Sequence, residues 1–170
     1  MNHTILVAVD IRSTHNVGSL LRTCDGLGID RVYLCGICPY PLIKDGKDTR
    51  LPHIAKRASD TIHKTALGAE ASVDWQHYAD TKNCLIELKK QGYWVCALEQ
   101  TPNSVPLVEY KRPKKLALIV GTEVTGLPNE IIKLCDDAIE IPMQGKKESF
   151  NVSVAAAIAL FWITKDSTTT

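Results

Sequence analysis

No apolar run in this chain is long enough to cross a bilayer: the longest, residues 152–163, covers twelve positions and includes a serine, where a membrane helix takes roughly 20. The opening MNHTILVAVD has neither a cationic start nor a small-residue cleavage site, so no secretory signal is expected. Without one, the sequons at Asn2 and Asn151 are not read as glycosylation sites. An excess of charge of one sign is also missing. Lys and Arg number 20 against 19 Asp and Glu, a net charge of +1, which does not by itself announce a nucleic-acid partner. Locally the balance shifts: residues 44–64 hold six Lys or Arg against three Asp, and Lys111, Arg112, Lys114 and Lys115 crowd the segment before residue 116. Each is either a solvated face or a patch that follows a phosphate backbone.

A disulfide or zinc framework is lacking as well. The six cysteines, at 24, 35, 38, 84, 96 and 135, are scattered and mostly sit among apolar residues, where a free thiol acts as a small hydrophobe; a reducing cytoplasm is the simplest reading. Cys35 and Cys38 have metal or redox spacing, but two further ligands at suitable distance are not evident, so no metal is expected. The common nucleotide fingerprints are incomplete. Residues 121–126 (GTEVTG) begin like a P-loop, yet Leu127-Pro128 stands where Lys-Ser/Thr should, leaving nothing to reach a β/γ-phosphate or its magnesium. Gly26-Leu-Gly28 lacks the third glycine of a dinucleotide loop and closes a helix instead of opening one, which argues against an NAD enzyme.

What is present is a run of alternating strand and helix patterns. Residues 5–9, 31–37, 93–98, 116–120 and 138–141 are short, nearly unbroken apolar segments, with a further extended piece at 72–75. Such runs fit strands covered on both faces, as in a parallel sheet. Between them lie helix patterns: one capped by Asn16 with Val17, Leu20, Leu21 and Cys24 on one face, one at 53–66, one at 81–91 opened by Asp80 and closed by Gly92, and the apolar helix 152–162. The order predicts an α/β fold, a mainly parallel sheet with helices on both faces, in a single domain over residues 1–164 with a frayed tail at 165–170. Ligands of such sheets bind at the carboxyl ends of the strands, so the loops after residues 120 and 141 are the place to look. Gly18 and Arg22 share a helix face, a small gap one turn from a cation, which suits an anion such as phosphate.

Three polar clusters occur in fixed order: 16–23 (NVGSLLRT), 120–127 (VGTEVTGL), and 141–153, from Ile141-Pro142-Met143 through Gly145 to Ser149-Phe-Asn151-Val-Ser153. Together they resemble the signature motifs of the SpoU/TrmH branch of the SPOUT methyltransferases, over nearly the whole chain. The resemblance implies a C-terminal trefoil knot, S-adenosyl-L-methionine held among the knot loops, a homodimer, and methyl transfer to a ribose 2′-hydroxyl of RNA. Carried over to this sequence, Leu98, Gly121, Gly126, Ile141, Met143 and Phe150 fall where the family holds its cofactor. Phe150 departs from the usual Leu but offers the same apolar face.

The candidate catalytic set is Arg22, Asn16, Glu123, Ser149 and Asn151. Arg22 is often assigned as a general base in this family, yet a guanidinium keeps its proton throughout the working pH range. We therefore read it as a ligand of the phosphate beside the target ribose and of the developing 2′-oxyanion. Asn16 caps the helix and orients Arg22, Glu123 orders the cofactor loop, and Ser149 and Asn151 cap the last helix while touching cofactor or substrate. That helix is apolar nearly all round, so part of it should be covered by a second copy of the chain. Two functions of different class stay open: an RNA 2′-O-ribose methyltransferase, with tRNA favoured over rRNA because no separate RNA-binding domain precedes the first strand, and a catalytically silent RNA-binding or assembly factor with the same fold.

Overall fold

The unbroken apolar strands are explained by burial on both sides. In the computed structural model, which describes residues 2–44, 46–122 and 124–165, seven strands form one sheet: β1 (His3–Val9), β2 (Arg31–Cys35), β3 (Trp75–Tyr78), β4 (Trp94–Leu98), β5 (Val105–Pro106), β6 (Lys115–Val120) and β7 (Asp137–Glu140). Their order is β3-β2-β1-β6-β4-β7-β5, with every strand pairing parallel. Along β1, Leu6 and Ala8 join a core with Leu20, Leu21, Ile62 and Leu160, while Ile5, Val7 and Val9 join a second with Leu85, Leu88 and Ile131. Helices α1 (Thr14–Gly26), α2 (Pro52–Ala66), α3 (Ala69–Ser72) and α6 (Val152–Thr164) cover the first face, and α4 (Thr81–Lys90) and α5 (Asn129–Ile132) the second. No helix among the described residues is long and apolar enough to cross a membrane.

Several boundaries differ from the expected ones for local reasons. The N-cap of α1 is Ser13, not Asn16: the Ser13 hydroxyl accepts the Asn16 N–H at 3.3 Å. Ser13 and Asn16 both make good caps, and the helix starts at the earlier one, which frees the Asn16 side chain for other contacts. Strand β2 stops at Cys35 because Gly36 turns into the left-handed region (φ +65°), where the Asp10 carboxylate accepts the Ile37 N–H at 3.0 Å. Strand β7 stops at Glu140, leaving Ile141 in the loop. The Pro-containing stretch before β6 holds β5, whose two residues are too few to leave a periodic signal in the sequence. Asp80 does cap α4, accepting from the Lys82 and Asn83 N–H groups, and Gly92 follows at φ +83°.

Gly18 is not an open anion gap. It is buried where α1 crosses α2, and a Cβ there would run into the Thr65 hydroxyl and the backbone of Ile62 and Ala66. Because two of those three neighbours are backbone, relief requires the helices to part. Gly18→Ala should therefore destabilise the fold by about 1–3 kcal/mol, seen as a lower urea midpoint with unchanged m-value; a midpoint equal to wild type would contradict this packing.

Part of the local basic charge is internally engaged. Arg50 lies over the Tyr40 ring at 3.6 Å, donates to the Tyr40 and Pro41 carbonyls, and pairs with Asp48 at 2.6 Å; that guanidinium holds the Asp48 carboxyl well below the usual range. Lys56 pairs with Asp60, Arg112 donates to the carbonyls of His3, Pro113 and Lys114, and Lys115 donates to that of Gln91. Arg50, Arg112 and Lys115 thereby fix loops and strand starts and are not spare for a phosphate backbone, whereas the Lys56 pair is exposed on α2.

Candidate active site

Strands β4, β6 and β7 are adjacent and parallel, so their carboxyl ends meet at one rim. Leu98 ends β4, Gly121 follows β6 and Ile141 follows β7; with Gly126, Met143 and Phe150 they line a cavity of about 310 Å³, at the lower end of the about 300–1,000 Å³ usual for small-molecule sites. All six residues expected to hold a cofactor thus share one cavity, joined by Ser149. Its polar lining includes the acids Glu99, Glu140 and Glu148, and no Lys, Arg or His among the described residues. A cavity lined in this way favours a ligand that carries positive charge and disfavours a polyphosphate.

Backbone geometry explains the glycines. Gly126 sits at φ +64°, and its N–H and C=O pair with Thr122 at 3.1 and 3.2 Å, closing a tight turn. A Cβ on Gly121 would lie 2.5 Å from the Gly126 carbonyl carbon and 2.6 Å from the Leu127 nitrogen. Gly121 therefore lets the turn fold back onto the end of β6. Gly145 does not line the cavity.

Glu99, absent from the sequence-derived site, holds this turn from the other side. Its carboxylate accepts the Leu127 N–H at 2.9 Å and the Gln100 N–H at 3.2 Å, and it occupies the space a side chain on Gly126 would need. Its own N–H donates to the Ile139 carbonyl at 2.9 Å, and the Gln100 amide donates to the Glu148 carbonyl at 3.1 Å. Residues 99–100 thus tie the loops after β4, β6 and β7 together. The one sequence signal was position, an acid immediately after a buried strand.

The first and third clusters also meet. Asn151 caps α6, its Oδ1 accepting the Ser153 N–H and hydroxyl at 3.0 and 2.7 Å, while its Nδ2 donates to Asn16 Oδ1 at 3.3 Å. Ser149 lines the cavity and is not the cap. Arg22 is placed elsewhere. It is exposed on α1, six residues beyond Asn16, about 9 Å along the axis, and lines a separate groove of about 490 Å³ with Ser19, Thr23, Lys64 and Thr65. Within one chain Arg22 is not among the residues that line the cavity of Gly121, and no hydrogen bond between described residues joins its side chain to Asn16. Glu123 lies outside the described residues. The thiols of Cys35 and Cys38 are buried; Cys38 is pushed up to about 12 by burial, and Cys35 is raised by its contact with Cys84 and by burial, which disfavours the reactive thiolate.

The sequence profile of the SpoU rRNA Methylase family matches residues 3–161. The chain belongs to this family. Among its curated relatives are the tRNA (guanosine(18)-2′-O)-methyltransferase of Borreliella burgdorferi, 29% identical over 94% of this chain and 65% of that protein, and the 23S rRNA (guanosine-2′-O-)-methyltransferase RlmB of Nitrosomonas europaea, 34% identical over 92% and 54%. The chain thus spans about half to two thirds of the length of the curated relatives it matches. Of solved structures, the AdoMet-bound rRNA methyltransferase from Sinorhizobium meliloti superposes with a TM-score of 0.81 over 99% of this chain and 59% of that one, at 22% identity. The SpoU/TrmH fold expected from the three clusters is therefore the fold of this protein.

Within a SpoU-family fold, Glu99 is a positioning residue for the cavity wall. Glu99→Ala should weaken S-adenosylhomocysteine binding about tenfold, roughly 1.4 kcal/mol, with Glu99→Gln recovering part of it because a carboxamide oxygen still accepts the Leu127 N–H. Calorimetry checks this, with amide exchange at Leu127 as a second readout; equal affinity in Glu99→Ala would remove Glu99 from the site.

Proposed function

We propose that this protein is an S-adenosylmethionine-dependent methyltransferase that acts on a ribose 2′-hydroxyl of RNA, with tRNA favoured over rRNA. The observation that carries the reading is the rim cavity itself: tight glycine turns, apolar walls from Leu98, Ile141, Met143 and Phe150, and acids without a facing cation. Those residues fit S-adenosylmethionine. The backbone at Gly121 and Gly126 would hold its adenosine part, Leu98, Ile141, Met143 and Phe150 would pack against the ring, and the acids would favour the positive sulfonium. When bound, S-adenosylmethionine supplies a methyl already activated on sulfur, with a neutral thioether as leaving group.

The protein's part is alignment and charge. Ser149 on the cavity wall and Asn151, joined to Asn16 at its edge, position the attacking hydroxyl. Arg22 binds the phosphate beside the target ribose and stabilises the developing oxyanion, while the proton passes to phosphate oxygen or water. One chain places Arg22 outside the cavity, so the working unit is a homodimer in which Arg22 of a second copy completes the site. The exposed stripe of α6, Val154 (46%), Ile158 (38%) and Phe161 (61%), spaced along one helix face, is the surface a second copy would cover. We further infer that the C-terminal segment is threaded as the family's knot. Six free cysteines, five of them buried, favour a reducing cytoplasm. In the basic segments the side chains of Lys44, Lys47, Arg57, Lys64, Lys111 and Lys114 are exposed, with no internal partner among the described residues, and supply cations for a phosphate backbone.

Mapping 2′-O-methyl groups in RNA from cells with and without the protein tests the reading. Loss of one tRNA methyl is expected. Loss of an rRNA methyl instead would correct the substrate, and no loss in either would favour the catalytically silent RNA-binding factor.

A further inference from the structure

The close approach of α1 and α2 at Gly18 has a second product. With the two backbones nearly touching there, and the Thr65 hydroxyl donating to the His15 carbonyl at 2.9 Å, Arg22 and Lys64 come to line one groove with Ser19, Thr23 and Thr65. Both cations are exposed, and neither has an ion pair or hydrogen bond among the described residues. The acids nearest to them in sequence are engaged elsewhere: Asp25 accepts from the Ser72 hydroxyl at 2.6 Å, Asp60 pairs with Lys56, and Glu70 accepts from His63 and the Gly68 N–H. The hydroxyls of Ser19 and Thr23 likewise have no internal partner among the described residues. Two like charges facing a common groove repel unless an anion lies between them.

We propose that this groove is a phosphodiester-binding site for the RNA strand, in which Lys64 holds the phosphate next to the one held by Arg22, with Ser19 and Thr23 donating to its oxygens. The proposal rests on the methyltransferase reading for the identity of the ligand and adds Lys64, on a helix that no catalytic cluster includes, as a positioning residue for substrate. It also gives the strand a direction, away from the reacting ribose along the α1–α2 groove.

The test is the binding of a fluorescently labelled RNA stem-loop to the full chain across a salt series. Lys64→Gln should lower affinity about 5- to 10-fold near physiological salt and flatten the slope of log K against log salt by about one. Lys64→Arg should restore both, since either cation neutralises a phosphate. In turnover, Lys64→Gln should raise KM for RNA while kcat and the affinity for S-adenosylhomocysteine stay at wild-type values. An unchanged slope and affinity in Lys64→Gln would overturn the proposal, as would a loss that Lys64→Arg does not repair, because the side chain would then act by packing. Failure of the wild-type chain to bind S-adenosylhomocysteine, with the Lys64 salt effect intact, would instead sink the methyl-transfer reading and leave the groove standing.

Discussion

Gly121→Val should lower the affinity for S-adenosylhomocysteine by at least about a hundredfold, roughly 2.7 kcal/mol. The first added atom would already lie 2.5 to 2.6 Å from the backbone at Gly126 and Leu127, well inside contact distance. The turn cannot step aside, because Glu99 holds the Leu127 N–H from the opposite side and Thr122 pairs with Gly126 across its neck. The loop must therefore open into the cavity whose wall it forms. Gly121 lies just past the end of β6, so the sheet should persist, and far-ultraviolet circular dichroism should match wild type. Affinity within about threefold of wild type, a difference under about 1 kcal/mol, would mean that this turn is not the donor-binding wall.

Arg22→Ala should lower kcat by about 10²–10³, the range for loss of a group aimed at a developing oxyanion, without changing donor affinity. Donor affinity is spared because the role proposed for Arg22 is toward the RNA phosphate and the developing oxyanion, not toward the donor. Arg22→Lys distinguishes charge from shape: a lysine keeps the positive charge but loses the planar fork that meets two phosphate oxygens, so it should stay well below wild type. The separation of Arg22 from its own cavity adds a sharper expectation. Mixing the inactive Arg22→Ala and Gly121→Val chains should restore activity in heterodimers, each having one intact cavity faced by an intact Arg22. No recovery on mixing, with dimers verified by light scattering, would contradict completion of the site by a second copy.

The strands were legible because each is buried on both faces, so that residues such as 5–9 and 116–120 had to be apolar at every position. The residues that line the rim cavity were legible because their types, glycines at turns and apolar side chains beside them, stand in a fixed order along the chain. Partnerships across the chain were not. Glu99 reads as one loop acid until its carboxylate is found under Leu127, 28 positions on. Asn16 is a good cap in sequence, and only the presence of Ser13 one turn earlier releases it toward Asn151. Gly18 and Arg22 suggested an anion gap; the gap is filled by α2, which brings Lys64 with it. Arg50 and Arg112 counted as spare charge until their carbonyl partners were in view. In each case the decisive neighbour is distant in sequence or belongs to an element that periodicity does not mark.

The most direct measurement is an isothermal titration of the full wild-type chain with S-adenosylhomocysteine, which needs no knowledge of the RNA. The rim cavity predicts saturable binding with about one site per chain and an affinity in the micromolar range, near −8 kcal/mol. No detectable heat up to sub-millimolar ligand, with the protein folded, would contradict the assignment of that cavity to a methyl donor.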